Sequence, residues 1–403
     1  MIEFAYTLKN DPRKAFEEIE QKMRSAGIEP TLAILFLTES LQKRYDKFKF
    51  NFDTVSVPVE GFITPDGVWT RGCLCMFTDI ECSIGVFRGK ASEVVEKLRS
   101  TRKGKFNMLI YPIFYVESMF SFISGALRLK LTTDIDKASR IYEEIIYPMN
   151  TILRPFRDDG SKAVALNIFP LNIGIGKPQI AVNGRKLGRG IVNLSFNRDF
   201  KVRYTDFLPE RGGSLEETKE ILKQEFQYID EVFVEKKGIA ISSINGMKVK
   251  DFLRKYNIMM KENLERDIEK GRFFGATPYG ILFISRQNFG SSYLGLMDYD
   301  VKFYPSLFDL DVFFSEAVFV GEVLKGGISR VINELESTSF VVLDQNIMLM
   351  FEDQIVKVVD KTQSFGVISS HPSYTGLLKK NCMSEVEDGI FTNATLSTLS
   401  LNF

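Results

Sequence analysis

Apolar residues in this chain recur with two periods, and the period switches often. After Asn10-Asp11-Pro12, Phe16, Ile19 and Met23 fall at helical spacing, and Gly27 closes the run. Asn10 or Asp11 can cap that helix, and Pro12 suits its first turn. Alternating or continuous short apolar runs then predict strands over 31–37, 54–60, 68–78 and 82–88, with helices near 39–48 and 92–98. The run 107–115 reads as a strand, and Pro112 inside it points to an edge or a bulge. A helix is expected over 134–147, stopped by Pro148, then strands at 163–169 and 190–196. Ser214-Leu215-Glu216-Glu217 is a capping box, and its helix carries Leu215, Leu222, Phe226 and Ile229 on one face.

The second half repeats the mixture. Strands are expected at 231–235, 239–244, 280–285, 300–304, 317–324, 339–344, 347–351, 355–358, 365–370 and 389–401. Helices are expected over 250–270 and 327–335. Strands outnumber helices without alternating strictly with them. The expected class is therefore α+β: two domains of mixed or antiparallel sheet covered by helices, divided near Asp230 into residues 1–230 and 231–403. No internal repeat or low-complexity tract stands out.

Composition narrows the functional classes. Lys plus Arg equals Asp plus Glu at 52 each, so nothing favours nucleic acid as the partner, although a local basic patch stays open. Four cysteines fit reduced thiols inside a cell. The opening Met1-Ile2-Glu3-Phe4 has no secretory pattern, and no uncharged apolar run reaches the about 18 residues of a membrane span. A soluble cytoplasmic protein is expected. There are 35 phenylalanines, which read as core, and a single histidine, His371. One imidazole rules out a histidine pair or a histidine-rich metal site.

Candidate chemistry is sparse. Asn172-Ile-Gly174-Ile-Gly176 is a Gly-rich turn, but Pro178 and a strand follow where a dinucleotide fingerprint needs a helix. A turn that brings backbone close to another element or to a small ligand fits better. Cys73 and Cys75 face one side of a strand, and with Cys82 they lack a fourth ligand, so they read as buried thiols. Asp298, Asp300, Asp309 and Asp311 have bulky neighbours and read as solvated charges rather than a cation loop. His371, in Ser369-Ser370-His371-Pro372-Ser373-Tyr374, sits in an expected loop rich in hydroxyls. It could contact an anion, relay a proton or ligate haem iron, and the plain alternative is a hydrogen-bonded loop residue. No nucleophile elbow, Walker sequence or zinc-protease helix is present. No metal and no cofactor is expected.

Residues 59–67, Val-Glu-Gly61-Phe-Ile-Thr64-Pro-Asp-Gly67, form a strand–turn–strand signal, with the Thr64 hydroxyl free to bond backbone or ligand. The stretch resembles the glycine–threonine turn of FIST domains, a family of intracellular small-ligand sensory domains. The resemblance extends in order along the chain through Pro30 to Phe36, Asn172 to Gly176, Gly188 to Leu194, Asn245-Gly246 with the hairpin and helix after it, Gly321 to Gly327, and Thr392 to Thr395. It departs at Leu208 to Gly213 and at Gly366 to Pro372. The resemblance implies a sensor that holds an amino acid or similar metabolite in a cleft between its halves and signals through a separate protein. The ligand would meet Gly61, Thr64, Gly67, Asn172, Gly174, Gly176, Ser370, His371 and Tyr374. A haem-based gas sensor, an enzyme on a small polar metabolite and a ligand-free scaffold are the alternatives. The oligomeric state stays open.

Overall fold

The computed structural model describes residues 1–101, 103–112, 119–132, 137, 140, 141, 144, 147, 149–168, 180–206, 213–225, 228–237, 240–255, 282–285, 291–296, 303–305, 317–321, 332, 339–344, 347, 354–359, 363–374 and 397–403. Two sheets lie face to face, and helices cover their outer sides, giving four layers in the order helix, sheet, sheet, helix. A third sheet takes all its strands from residues 228–321. The class is α+β.

The first sheet runs in the order Ile2–Thr7, Cys73–Thr78, Leu32–Leu37, Asp53–Pro58, then the hairpin Ala181–Val182 and Arg185–Lys186. Only the Leu32–Leu37 and Asp53–Pro58 pair is parallel. The helix Pro12–Ser25 covers its outer face. Asp11 caps that helix by accepting from the Lys14 amide at 2.9 Å. Ala15, Ile19 and Met23 pack on Ala33, Leu35, Cys73 and Cys75. The strand expected over 68–78 is two strands, Gly67–Trp69 and Cys73–Thr78. Gly72 breaks it: its φ is +102°, and a Cβ there would lie 1.9 Å from the Thr7 carbonyl oxygen.

The second sheet runs Lys201–Asp206, Ser397–Asn402, Phe340–Asp344, Phe365–Tyr374, Lys162–Ile168, Phe106–Pro112, Gly190–Phe196, Cys82–Arg88. Gly61–Thr64 and Gly67–Trp69 add a hairpin to Phe365–Tyr374. The helices Ala91–Ser100 and Met149–Asp158 cover the outer face through Val94, Leu98, Ile152 and Phe156. Between the two sheets, Phe4 and Phe36 meet Phe340, Phe365 and Phe403, while Phe106, Phe196 and Phe200 make edge and tilted contacts beside them. Each such pair adds about 0.5–1.5 kcal/mol beyond burial. Two strands from beyond Asp230, Phe365–Tyr374 and Ser397–Asn402, pair with strands from before it within the second sheet.

Several expected elements change. Pro112 ends a strand paired on both sides, and the strand is central rather than an edge, because a terminal proline costs the ladder little. Residues 347 and 354–359 are helical where strands were expected over 347–351 and 355–358. The flanking strands Phe340–Asp344 and Phe365–Tyr374 are parallel, and a parallel pair needs a crossover, usually a helix. Ile355 and Val359, one helical turn apart, are the buried residues of that helix. Asp230 lies inside the strand Tyr228–Val232, not at a helix end, because Leu215–Glu225 stops earlier. Ser214 caps that helix as expected, accepting from the Glu217 amide at 3.1 Å, and the Glu217 carboxylate takes the Gly213 amide rather than that of Ser214. Met119–Leu131 is a helix that the sequence reading left unassigned, with Phe120, Ile123, Leu127 and Leu131 exposed along it. Of the helix expected over 134–147, residues 137, 140, 141, 144 and 147 are described; the first four are helical and Tyr147 is not.

Asn245-Gly246 does form the expected hairpin, with φ of +50° and +73°, and leads into the helix Val249–Lys255. The rest of the helix expected over 250–270 lies outside the described residues, as do Asp298, Asp300, Asp309, Asp311, Cys382 and Thr392 to Thr395. Among the described residues no helix is long and apolar enough to cross a membrane.

Candidate functional site

One strand gathers most of what the sequence singled out. Phe365–Tyr374 lies parallel to Phe340–Asp344 on one side. On the other side it changes partner. Gly366 to Ile368 pair with Gly61–Thr64, and Ser370 to Tyr374 pair with Lys162–Ile168. The register slips between Ser370 and Ser373, at His371 and Pro372. Proline cannot donate to a ladder, and such bulges are common beside sites. The stretch around His371 expected as a loop is thus strand as far as Tyr374, because its backbone finds partners in Ala165 and Val164.

Gly61 pairs with Ile368, and Ser370 pairs with Asn167 near the end of Lys162–Ile168. Asn172, Gly174 and Gly176 follow that strand in sequence but lie outside the described residues. The backbones of Ser370 and His371 are therefore brought to the strand end from which the Gly-rich stretch departs, with Gly61 bordering it, while Tyr374 lies opposite Val164 near the start of that strand.

The glycines of this strand are set by close packing. A Cβ at Gly366 would stand 2.4 Å from Val341 Cγ1 and 2.5 Å from the Val341 carbonyl oxygen, and one at Gly61 would stand 2.8 Å from the Trp69 carbonyl oxygen. Gly67 turns the hairpin with a φ of +139°. Thr64 is buried inside it. Its hydroxyl accepts from the Trp69 indole N–H at 3.0 Å and from the Asp66 amide at 3.2 Å, and donates to the Gly67 carbonyl at 3.5 Å. Its bonding capacity is used within the turn.

Beside the turn, Tyr6 donates its hydroxyl to the Asp66 carboxylate. That bond, partial burial and the Asp66 charge push the phenol up to about 12. Lys22 donates to the Tyr6 carbonyl at 2.6 Å and stands 4.7 Å over its ring. Glu18 collects Lys9, Lys22 and Thr7. Burial alone would raise its carboxyl, but those hydrogen bonds outweigh it and hold it below the ordinary value.

A row of buried polar side chains crosses the second sheet at the level where the partner changes: Asp344, Ser369, Asn167 and Tyr111. Asp344 is in register with Ser369, and Asn167 with Tyr111. Ser369 donates to the Asn167 carbonyl at 2.9 Å. Alternation turns Asp344 and Ser369 toward the inter-sheet core that holds Phe340, Val342 and Val367, and Asn167 and Tyr111 toward the helix layer with Ala163 and Ala165. Burial pushes the Tyr111 phenol well up, so it stays a neutral hydrogen-bonding group. The row offers a carboxylate, a hydroxyl, an amide and a phenol in apolar surroundings. The sequence reading missed all four. The available signal was a polar residue near the close of each apolar run: Tyr111, Asn167, Asp344 and Ser369.

The cysteines behave as packing residues. Burial raises the Cys73 and Cys75 thiols far above their ordinary value and Cys82 to about 12, and Cys75 lies 4.0 Å from the Met23 sulfur. Such thiols are poor nucleophiles and poor metal ligands.

Residues 216–325 match the family described as AF0772-like protein C-terminal domain. The match takes in the whole stretch 228–321 that builds the third sheet. An uncharacterized protein of Archaeoglobus fulgidus is 56% identical over 349 residues, covering 86% of this chain and 100% of that protein. A second, short uncharacterized protein of the same organism is 56% identical over 61 residues, 15% of this chain and 98% of its own length.

Proposed function

The chain belongs to the same family as the uncharacterized Archaeoglobus fulgidus protein whose whole length it covers, and we propose that it is a FIST-like sensory protein binding a small polar metabolite, such as an amino acid. The ligand sits where Phe365–Tyr374 changes partner. The observation that carries this reading is the convergence of Gly61, Ser370 and His371 where the strand changes partner, beside the strand end that leads to Asn172, Gly174 and Gly176; Tyr374 lies farther along, opposite Val164. Irregular backbone at a sheet junction leaves amide groups for a ligand carboxylate. Asp344 offers a carboxyl group for an amino group, and Ser369 a hydroxyl for orientation.

Signalling then follows from differential affinity. A ligand held between Gly61–Thr64, Phe340–Asp344 and Lys162–Ile168 favours the conformation in which these segments are registered, and a separate protein reads that conformation. The test is thermal unfolding across a library of amino acids and small polar metabolites, with native mass spectrometry of gently purified protein. A ligand at about 100 times its Kd should stabilise by about 2.7 kcal/mol. Ser369→Ala and Asp344→Asn should lose the ligand-induced shift, measured against each variant's own unliganded midpoint. Protein that carries nothing and gains no stability from any compound, or a shift intact in both variants, would refute the assignment.

A further inference from the structure

We propose a second binding site, independent of the first: a basic cleft that takes a small polyanion. It is an open cleft of about 770 Å³ between the free edges of the two stacked sheets. One wall is the last strand of the second sheet, Cys82–Arg88, with the helix Ala91–Ser100 behind it. The other is the hairpin Ala181–Lys186 that ends the first sheet. Arg88, Lys97 and Arg185 enter it from three different elements, and its lining contains no Asp or Glu. Among the described residues none of the three is in an ion pair, although the chain as a whole is neutral.

The walls are held rigidly. Arg88 Nε donates to the Leu187 carbonyl at 3.1 Å, and Lys97 Nζ donates to the Arg88 carbonyl at 2.8 Å. Arg185 follows the two-residue turn Asn183-Gly184, whose φ values are +49° and +71°, as a tight hairpin turn requires. Asn183 pins that turn to the first sheet, accepting from the Thr54 amide at 2.8 Å and donating to Asp53 at 2.9 Å. The Arg88 and Lys97 side chains, and the backbone turn that carries Arg185, are thus placed before any ligand arrives, which lowers the ordering cost of binding. A guanidinium presents paired N–H donors suited to phosphate and carboxylate oxygens alike, and the ammonium adds a point charge. The cleft volume falls in the range of small-ligand sites. The recognised chemistry is two or three anionic groups on one compact molecule, a polyphosphate or a polycarboxylate.

Calorimetric titration of the whole chain with inorganic pyrophosphate, and separately with citrate, at constant ionic strength tests this. Saturable one-to-one binding of at least one probe is expected, and the preferred probe identifies phosphate or carboxylate as the source. Lys97→Gln and Arg185→Gln should each weaken it by about tenfold, as loss of a hydrogen bond to a charged group does. Arg185 is exposed, with no side-chain hydrogen bond or ion pair among the described residues, so Arg185→Gln should keep the wild-type unfolding midpoint, whereas Lys97→Gln also loses the bond to the Arg88 carbonyl and its affinity is compared at matched fraction folded. The amino-acid response of the first site should be unchanged in them. Absence of saturable binding for both probes, or affinity unaltered in the double variant, overturns the proposal.

Discussion

Gly366→Ala is the sharpest test of how Phe365–Tyr374 is held. The backbone there is not in the left-handed region, so alanine is conformationally acceptable, and the whole effect is steric. The added Cβ would stand 2.4 Å from Val341 Cγ1 and 2.5 Å from the Val341 carbonyl oxygen. The valine methyl could rotate away, but the carbonyl belongs to the backbone of the paired parallel strand and cannot. Relief requires Phe340–Asp344 and Phe365–Tyr374 to part by several tenths of an ångström, in a layer where Phe340 packs on Phe4 and Phe36. Overpacking of this kind costs about 1–3 kcal/mol, and a backbone contact belongs at the upper end. A loss near 3 kcal/mol lowers the midpoint of a large domain by about 6–12 °C. Gly184→Ala is the matched control: no atom lies within 4 Å of its Cβ, and its φ of +71° gives strain alone. That strain is about 1 kcal/mol. Scanning calorimetry or circular dichroism melts would compare the two. If Gly366→Ala melts with the wild type, or above Gly184→Ala, the strand is not packed as described and the site built on it loses its frame.

Thr64→Val should destabilise by about 1–3 kcal/mol, because it strands the Trp69 indole N–H and the Asp66 amide inside the turn. Trp69 is the chain's only tryptophan, so its emission reports the change directly, and an unaltered spectrum with unaltered stability would contradict the bonding described. Tyr6 has a folded pKa raised from 10.0 to about 12, so it adds stability that is fully present below pH 10 and lost as the pH rises toward 12. Tyr6→Phe should flatten the stability profile in that window, and an unchanged alkaline slope would count against the Asp66 bond. Glu18 has a folded pKa depressed below 4.5, so its contribution is present above that pH and lost as the pH falls further. Glu18→Gln should remove that part of the acid-side slope, and a slope equal to wild type would dismiss the cluster with Lys9 and Lys22. Iodoacetamide at mildly alkaline pH, read by peptide mass mapping, should leave Cys73 and Cys75 unmodified until the protein is denatured, and prompt native labelling of either would show that the strand is not buried.

Local order was legible in the sequence. The Pro12–Ser25 helix, its Asp11 cap and its Ile19 and Met23 face follow from spacing and capping chemistry within fifteen residues. The Asn245-Gly246 hairpin follows from the need for positive φ at two successive positions. The buried cysteines follow from their alternation on an apolar strand. What tertiary structure decided is pairing. Nothing local states that Phe365–Tyr374 leaves one partner for another, and the segment 354–359 became helix because its flanking strands lie parallel, a long-range fact that outweighs its alternating apolar pattern. Asp344, Ser369, Asn167 and Tyr111 share a level only because four strands adopt one register. Arg88 and Arg185, far apart in sequence, face one cleft because two sheets stack and end at the same border. The sequence by itself determined which segments could be helix or strand and which residues would be buried. Register and stacking, set by the shared apolar layer between the sheets, determined which polar groups meet.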